Sequence, residues 1–419
     1  MHEEILRILV ENEAQLIYAT NRAVEKGFDS LRKEFRHFHY ELCTNEKIAY
    51  EMALAGSYTS KRSVCLVSTE GLYEAFDPLM SSAYTGTNGG FLVVCVQEND
   101  VETVPLGPFA KLPLIVTEDI DAFRSAVAYG FMISEKYQTP VIIQTLPAEE
   151  QPSAISRQQS AISRKTSSAE RRTPNAKRVS ARFPRDPNRW AATPKFRYQL
   201  HRELNEKIEK IRKEFEEYEG NIVTVKTKTG VITDRMSHLE FYDEDGSMLK
   251  LATVYPLPDK LVGSFIDQMD VVFVEETYPV IELQIADRSK VHANKIHASY
   301  GREKPEETMY GMKVVRDKLG SASAINMAHG IKKLEPEKKI LAITYEDFFF
   351  HSGLPAFVNT LYNNSSYVLL IMTNKREDEL KGVLRGFGFE NYHHLDNASE
   401  IERFKDAGEL TVLLCRGIM

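Results

Sequence analysis

Cysteine is scarce in this sequence and long apolar runs are missing. The 419 residues hold four cysteines, Cys43, Cys65, Cys95 and Cys415, and no two lie within four positions of each other. A CxxC framework for zinc or for an iron–sulfur cluster is therefore excluded. No run reaches the roughly 18–20 apolar residues of a membrane helix, so no membrane partner is expected. The N-terminus, MHEEILRILVENEAQLIY, is acidic and mixed, unlike a secretory signal. Unpaired cysteines suit a reducing compartment, so a cytoplasmic setting is expected. A net charge of −7 argues against a general nucleic-acid binder.

What is present suits a globular chain of two or three domains. Hydrophobic residues make up 42% and charged residues 27%. Up to about residue 150, the short apolar runs SVCLVST (63–69), GFLVVCVQ (90–97) and TPVIIQTL (139–146) read as strands of a parallel sheet covered on both faces. Cys65 and Cys95 fall inside these runs and read as core residues. Helical spacing separates the runs, as in DIDAFRSAVAYGFMISEKY (119–137), with Asp119 or Thr117 as its cap.

Residues 151–190 break the pattern, with ten Lys/Arg against two acids and a repeated SAISR at 153–157 and 160–164. They read as a basic linker. SRKTS and AKRVS leave open a phosphorylated segment or an arm for an acidic partner. A helix follows, with Leu200, Leu204, Ile208, Ile211 and Phe215 on one face and Gly220 as its stop. Region 221–287 reads as strands NIVTVKTKTG, MLKLATVYPL and DVVFVEETYPVIELQIA, with helix PDKLVGSFIDQM before the last. From about 305 onward, KKILAITY (338–345), SYVLLIMTN (366–374) and LTVLLCRG (410–417) give a further α/β pattern.

Three stretches carry a family likeness. They are NEKIAYEMALAGSYTSKRSVCLVSTEGLYEAFDPLMSSAYTGTNGGFLVVCVQEN (45–99), LKLATVYPLPDKLVGSFIDQMDVVFVEETYPVIELQI (249–285) and FFFHSGLPAFVNTLYNNSSYVLLIMTNK with INMAHGIKK before it. In this order they resemble the alpha subunits of indolepyruvate:ferredoxin oxidoreductases, which are thiamine-diphosphate-dependent 2-oxoacid:ferredoxin oxidoreductases. The resemblance implies an α/β fold of three modules with mostly parallel sheets. It assigns 1–150 to a pyrimidine-binding-like module and 151–220 to the basic linker and amphipathic helix. It assigns 221–304 to a transketolase C-terminal-like middle domain and 305–419 to a diphosphate-binding-like module.

The resemblance also implies site residues. Glu46 falls where the family places the carboxylate that hydrogen-bonds the aminopyrimidine ring; buried there, it would have a raised pKa. A plain helix-start glutamate is the other reading. Glu346 and Asn374, 28 residues apart, fall on the Mg²⁺ ligands, with Asp347 as an alternative after a one-residue shift. His351, Ser352 and Gly353 fall on the cofactor-binding start of a helix, where Ser352 also reads as a cap. Phe348, Phe349 and Phe350 read as core.

Departures from the family pattern gather in the loops. Tyr345 replaces the glycine that lets backbone approach phosphate, and Glu70 stands in place of a strand-end histidine. The Tyr-Pro-Gly-Thr-Pro loop, the Ser-Ser-Gln-Asn-Glu run and the Cys-Pro-Gly-Cys-Pro-His-Arg segment are missing, and a terminal ferredoxin-like domain is not expected after Met419. The expectation is a truncated, divergent member with impaired thiamine-diphosphate and Mg²⁺ chemistry and no iron–sulfur cluster. It would act as a homo-oligomer or beside a beta-type subunit. The alternative is active oxidative decarboxylation of an aryl 2-oxoacid, with electrons passed to a partner.

Overall fold

Short apolar runs bounded by polar turns favour strands buried on both faces. The computed structural model describes residues 2–20, 25–35, 37–97, 101–145, 193–236, 246–296, 308–317 and 320–416. They form two compact units, Met1–Ser299 and Tyr300–Met419. The stretch read as a basic linker, 151–190, lies outside the described residues.

The first unit contains two sheets. Its larger sheet has seven strands, in the order Thr253–Tyr255, Leu114–Thr117, Val141–Thr145, Phe91–Val96, Ser63–Ser68, Leu16–Ala19 and His39–Leu42. Only the first pair is antiparallel. Alternation sends Cys65, Val93 and Ile142 into one core, and Val64, Leu92 and Ile143 into the other. All four cysteines are free and buried. Helix Ile120–Tyr137 covers the second core with Phe123, Val127 and Phe131. Asp119 caps it, accepting the Ala122 N–H at 2.7 Å. Helix Glu46–Tyr58 covers the first core with Ala49, Tyr50 and Ala53.

The second sheet has five strands, in the order Val291–Ile296, Val271–Glu276, Thr229–Thr233, Ser247–Lys250 and Ile222–Thr224, with only the last antiparallel. It shares the first core through Ile232, Leu249 and Val274. Helix Pro194–Phe215 buries Leu204, Ile208, Ile211 and Phe215 of the stripe read from the sequence, while Leu200, a turn earlier, is only half-buried. The helix stops at Phe215, before the expected Gly220, and the Phe215 carbonyl accepts from the Asn221 side chain at 3.0 Å. Just past its end the Glu216 carboxylate accepts the N–H groups of Lys260 (2.9 Å) and Leu261 (2.8 Å).

Three runs read as single strands are each divided, and NIVTVKTKTG gives Ile222–Thr224 and the start of Thr229–Thr233. MLKLATVYPL contributes Ser247–Lys250 to the smaller sheet and Thr253–Tyr255 to the larger one. Asn221 Oδ1 holds the crossing, accepting from Ala252 N (2.9 Å) and Thr253 N (3.1 Å). The last run becomes strand Val271–Glu276 and helix Val280–Gln284. Its break is made by Glu276, whose carboxylate accepts the N–H groups of Val280, Ile281 and Glu282 at 2.9, 2.7 and 3.1 Å.

The second unit is one sheet of six strands, in the order Thr308–Met309, Met312–Arg316, Ile340–Tyr345, Val368–Thr373, Thr411–Arg416 and Tyr392–Leu395. Again only the first pair is antiparallel. Ala342, Leu369 and Val412 face one core, and Leu341, Leu370 and Leu413 the other. The chain is thus α/β with three mostly parallel sheets.

The glycine pair of TGTNGG has a packing cause. A Cβ on Gly89 would lie 2.3 Å from the Lys61 carbonyl oxygen and 2.7 Å from the Ser60 carbonyl carbon. Both obstacles are backbone and cannot rotate away. Gly89→Ala is expected to destabilise the first unit by about 2–3 kcal/mol. Urea unfolding followed by circular dichroism measures this, and an unchanged midpoint would show that the 57–61 turn yields freely.

Candidate functional site

The turn at the end of strand Ile340–Tyr345 is where the sequence places its metal-binding carboxylate. Tyr345 is 55% exposed, and its ring stands edge-on to Phe348 with centroids 5.8 Å apart. Glu346 starts a continuous helical segment that passes through a π-helical turn, Phe349–Gly353, and ends at Tyr362. Its side chain points inward, and the residue is 6% exposed. Glu346 Oε2 accepts the N–H groups of Asn374 (2.8 Å) and Arg376 (3.1 Å), and Oε1 accepts that of Lys375 (3.0 Å).

These amides lead into helix Glu377–Gly386, where the first turn lacks intrahelical acceptors. Glu346 supplies them. Burial by itself would raise the Glu346 pKa. The backbone donors of Asn374, Lys375 and Arg376, with the Arg376 guanidinium, outweigh it and hold the pKa below the ordinary 4.5.

Asn374 therefore meets Glu346, but through its backbone N–H; its residue surface is exposed. Asp347 is exposed too and lies 3.9 Å from the Arg376 guanidinium. Arg376, which sequence reasoning missed, stacks on Phe350 with Cζ 3.6 Å from the ring centroid and pairs with Glu379 at 2.8 Å. Its signal was a basic residue two places after the terminal Asn. Of the three phenylalanines expected as core, only Phe349 is fully buried; Phe348 is 37% exposed and Phe350 serves as the platform for Arg376. Consecutive side chains on a helix point about 100° apart, so three adjacent phenylalanines cannot all face one core.

His351, Ser352 and Gly353 lie inside the helical segment, since the helix begins at Glu346 rather than at these residues. His351 Nδ1 and Ser352 Oγ are 2.5 Å apart. Gly353 is packed against the neighbouring helix, Ser323–Leu334, and its approach. A Cβ there would meet Ala322 Cβ at 3.0 Å and Ile325 Cδ1 at 3.2 Å. Asp317, also missed, accepts Ala324 N (2.9 Å) and Thr344 Oγ1 (2.6 Å) and so fixes the start of that helix beside strand Ile340–Tyr345. Burial raises its pKa.

Glu46 belongs to the first unit. It opens helix Glu46–Tyr58 and is 7% exposed. Asn45 caps this helix by accepting Lys47 N at 2.8 Å. The Glu46 carboxyl lies against Gly71, where an added Cβ would sit 2.7 Å from Oε1. Gly71 thus leaves the room that the Glu46 side chain fills.

A magnesium ion takes oxygen donors in near-octahedral geometry. Glu346 instead turns both oxygens toward N–H groups, one of them that of Asn374. A cation placed among these donors would meet positive dipole ends, so the arrangement does not fit the metal. Among the described residues no three His, Cys, Asp or Glu side chains converge into a set that could hold a metal ion. No described helix is long and apolar enough to cross a membrane.

No protein-family model matches the chain. Indolepyruvate oxidoreductase subunit IorA of Pyrococcus abyssi is 25% identical, with 80% of this chain and 67% of that protein aligned. The same subunit of Thermococcus kodakarensis is 28% identical over 72% of this chain and 49% of its own length. The chain is a divergent relative of the IorA subunits. A solved structure, 2-oxoglutarate:ferredoxin oxidoreductase from Magnetococcus marinus with 2-oxoglutarate, coenzyme A and succinyl-CoA bound, shares the fold. Its TM-score is 0.51 at 16% identity, covering 71% of this chain and 62% of that chain. The IorA-like chain thus spans between about half and 67% of the length of these proteins.

Removing the Glu346 carboxylate orphans three backbone donors. Glu346→Ala is expected to cost about 2–3 kcal/mol, read by urea unfolding. The depressed pKa also sets a direction in acid. The Glu346 contribution is present above about pH 4.5 and is lost as the pH falls through its lower folded pKa. Acid titration of wild type and variant should therefore converge at low pH. A stability gap that stays constant down to full protonation would show that the amides do not need the charge.

Proposed function

We propose that this IorA relative is a subunit of a 2-oxoacid oxidoreductase-type assembly whose own thiamine-diphosphate chemistry is impaired or lost. One observation carries the reading: the carboxylate at the family's metal-ligand position is committed to the amides of residues 374–376. With the carboxylate so held, Mg²⁺ loses its main protein donor, and a diphosphate loses the ion that would neutralise it. Tyr345, at the place of the phosphate-approaching glycine, supports the same reading. In this reading 1–150 is the pyrimidine-binding-like module, 221–304 the middle domain and 305–419 the diphosphate-binding-like module. The chain would contribute fold and contact surface, as a homo-oligomer or beside a beta-type subunit, in the cytoplasm.

The second reading is active oxidative decarboxylation of an aryl 2-oxoacid with electrons passed to a partner. Glu46 favours it, because a buried carboxyl at the helix start is what aminopyrimidine activation requires.

Calorimetric titration of the purified chain with thiamine diphosphate and Mg²⁺ separates the two. No heat of binding is expected from the wild type. Binding that requires Mg²⁺ and is abolished by Glu346→Ala would overturn the proposal and make Glu346 a ligand after rearrangement.

A further inference from the structure

Strand Ile222–Thr224 ends the order of the five-stranded sheet, and among the described residues no strand pairs with its far side. Backbone alternation shows which groups face that side. Leu251 N donates to the Thr233 carbonyl at 2.8 Å, so Leu251 and Leu249 turn toward strand Thr229–Thr233. Met248 and Lys250 then turn the other way, toward Ile222–Thr224. Their partners in register are Thr224 and Ile222. Val223, between those two, therefore points its N–H and C=O outward from the sheet.

The side chains on this edge are apolar. Ile222 is 38% exposed, Val223 42% and Val225, just past the strand, 46%. Edge strands are normally guarded by charge, proline or a bulge. The edge His39–Leu42 exposes His39 and Glu41, and Tyr392–Leu395 exposes His393 and His394. Thr253–Tyr255 is buried. Among the described edge-strand side chains, only Ile222 and Val223 are large, aliphatic and exposed. The strand is also held at both ends. Asn221 Nδ2 donates to the Phe215 carbonyl (3.0 Å) and to Thr253 Oγ1 (2.8 Å), and Ser247 Oγ accepts Lys226 N (2.9 Å) and Thr227 N (2.8 Å). An incoming strand meets an edge already fixed, which lowers the entropic cost of pairing.

Charge decides which strand fits. The run EYEGNIVTVKTK (217–228) has exposed acids, Glu217 and Glu219, before its apolar residues and exposed bases, Lys226 and Lys228, after them. Laid antiparallel on a copy of itself, it sets the acidic end of each copy beside the basic end of the other. Laid parallel, it would set like charge on like. Antiparallel self-pairing is also the arrangement that closes on a two-fold axis and stops at two copies. With the axis at Val223, each Val223 N–H meets the C=O of the other, and Ile222 lies opposite the second copy's Thr224.

We propose that this edge is a self-association surface, on which two copies of the chain pair antiparallel through Ile222–Thr224 and join their smaller sheets into one. The inference gives a surface to the homo-oligomer of the proposed function and rests on that reading only for the second copy. It does not depend on the fate of the cofactor. Binding of thiamine diphosphate would overturn the loss of chemistry and leave the pairing intact, whereas a chain that stays monomeric would overturn the pairing alone.

Sedimentation velocity of the full chain tests this between about 1 µM and about 500 µM, the range that a short edge calls for. The average mass should rise toward that of a dimer. Val223→Pro removes both exchanged N–H donors and leaves the bonds to Ser247–Lys250 in place, so it should raise the dissociation constant roughly ten- to a hundred-fold. Glu219→Lys should weaken the dimer, and adding Lys226→Glu should restore it, because the swap brings opposite charges together again. A monomer at every concentration, or a dimer unchanged by Val223→Pro, would overturn the proposal. So would a double variant that pairs no more tightly than Glu219→Lys alone. Should Val223→Pro not fold, hydrogen exchange of the wild type decides. Uptake in 221–227 that falls as concentration rises supports the pairing, and uptake independent of concentration rejects it.

Discussion

Carboxylates seated on backbone amides hold this protein's turns together. Glu276 closes the turn into residues 280–282, Glu346 the turn into 374–376, and Glu216 the start of helix Asp259–Asp267. Asp317 does the same at Ala324. Each strand-to-helix turn leaves N–H groups without intrahelical acceptors, and burying them unpaired is costly. A local Ser or Asp cap answers one or two donors. A glutamate reaching in from elsewhere answers two or three and also pins two segments to each other. Packing of the sheets presupposes these pins, because the apolar strands deliver the chain ends to places where water cannot finish the hydrogen bonding.

Much of the fold was legible in the sequence. Continuous apolar runs such as FLVVCV and VLLIMT announce strands covered on both faces, and the three-and-four spacing of Leu204, Ile208, Ile211 and Phe215 announces a helix with one buried stripe. Tertiary partners were not legible. Nothing in MLKLATVYPL marks the Leu251–Ala252 crossing between sheets, since its cause is the distant Asn221 side chain. Nothing in VFVEETYPVIELQ separates strand from helix until Glu276 is seen to fold back on the following amides.

The candidate site shows the same division. The resemblance paired Glu346 with Asn374, and the two meet because each directly follows one of two adjacent parallel strands. Which atoms would meet was not legible. Sequence position makes Glu346 a donor of oxygen to a cation, whereas geometry makes it an acceptor of three N–H groups. A side chain's neighbours are set by the turn it enters, and here the turn after Thr373 brings three N–H groups to Glu346.

The crossing strand has a consequence for synthesis. Thr253–Tyr255 closes the edge of the larger sheet against Leu114–Thr117. An emerging chain therefore exposes that edge until residue 255 has left the ribosome, long after the other six strands are available. Open parallel edges invite pairing with foreign strands. The gap between making Leu114–Thr117 and covering it is the interval in which this chain is most exposed to such pairing, and a polar, strongly basic stretch is what the ribosome delivers during it.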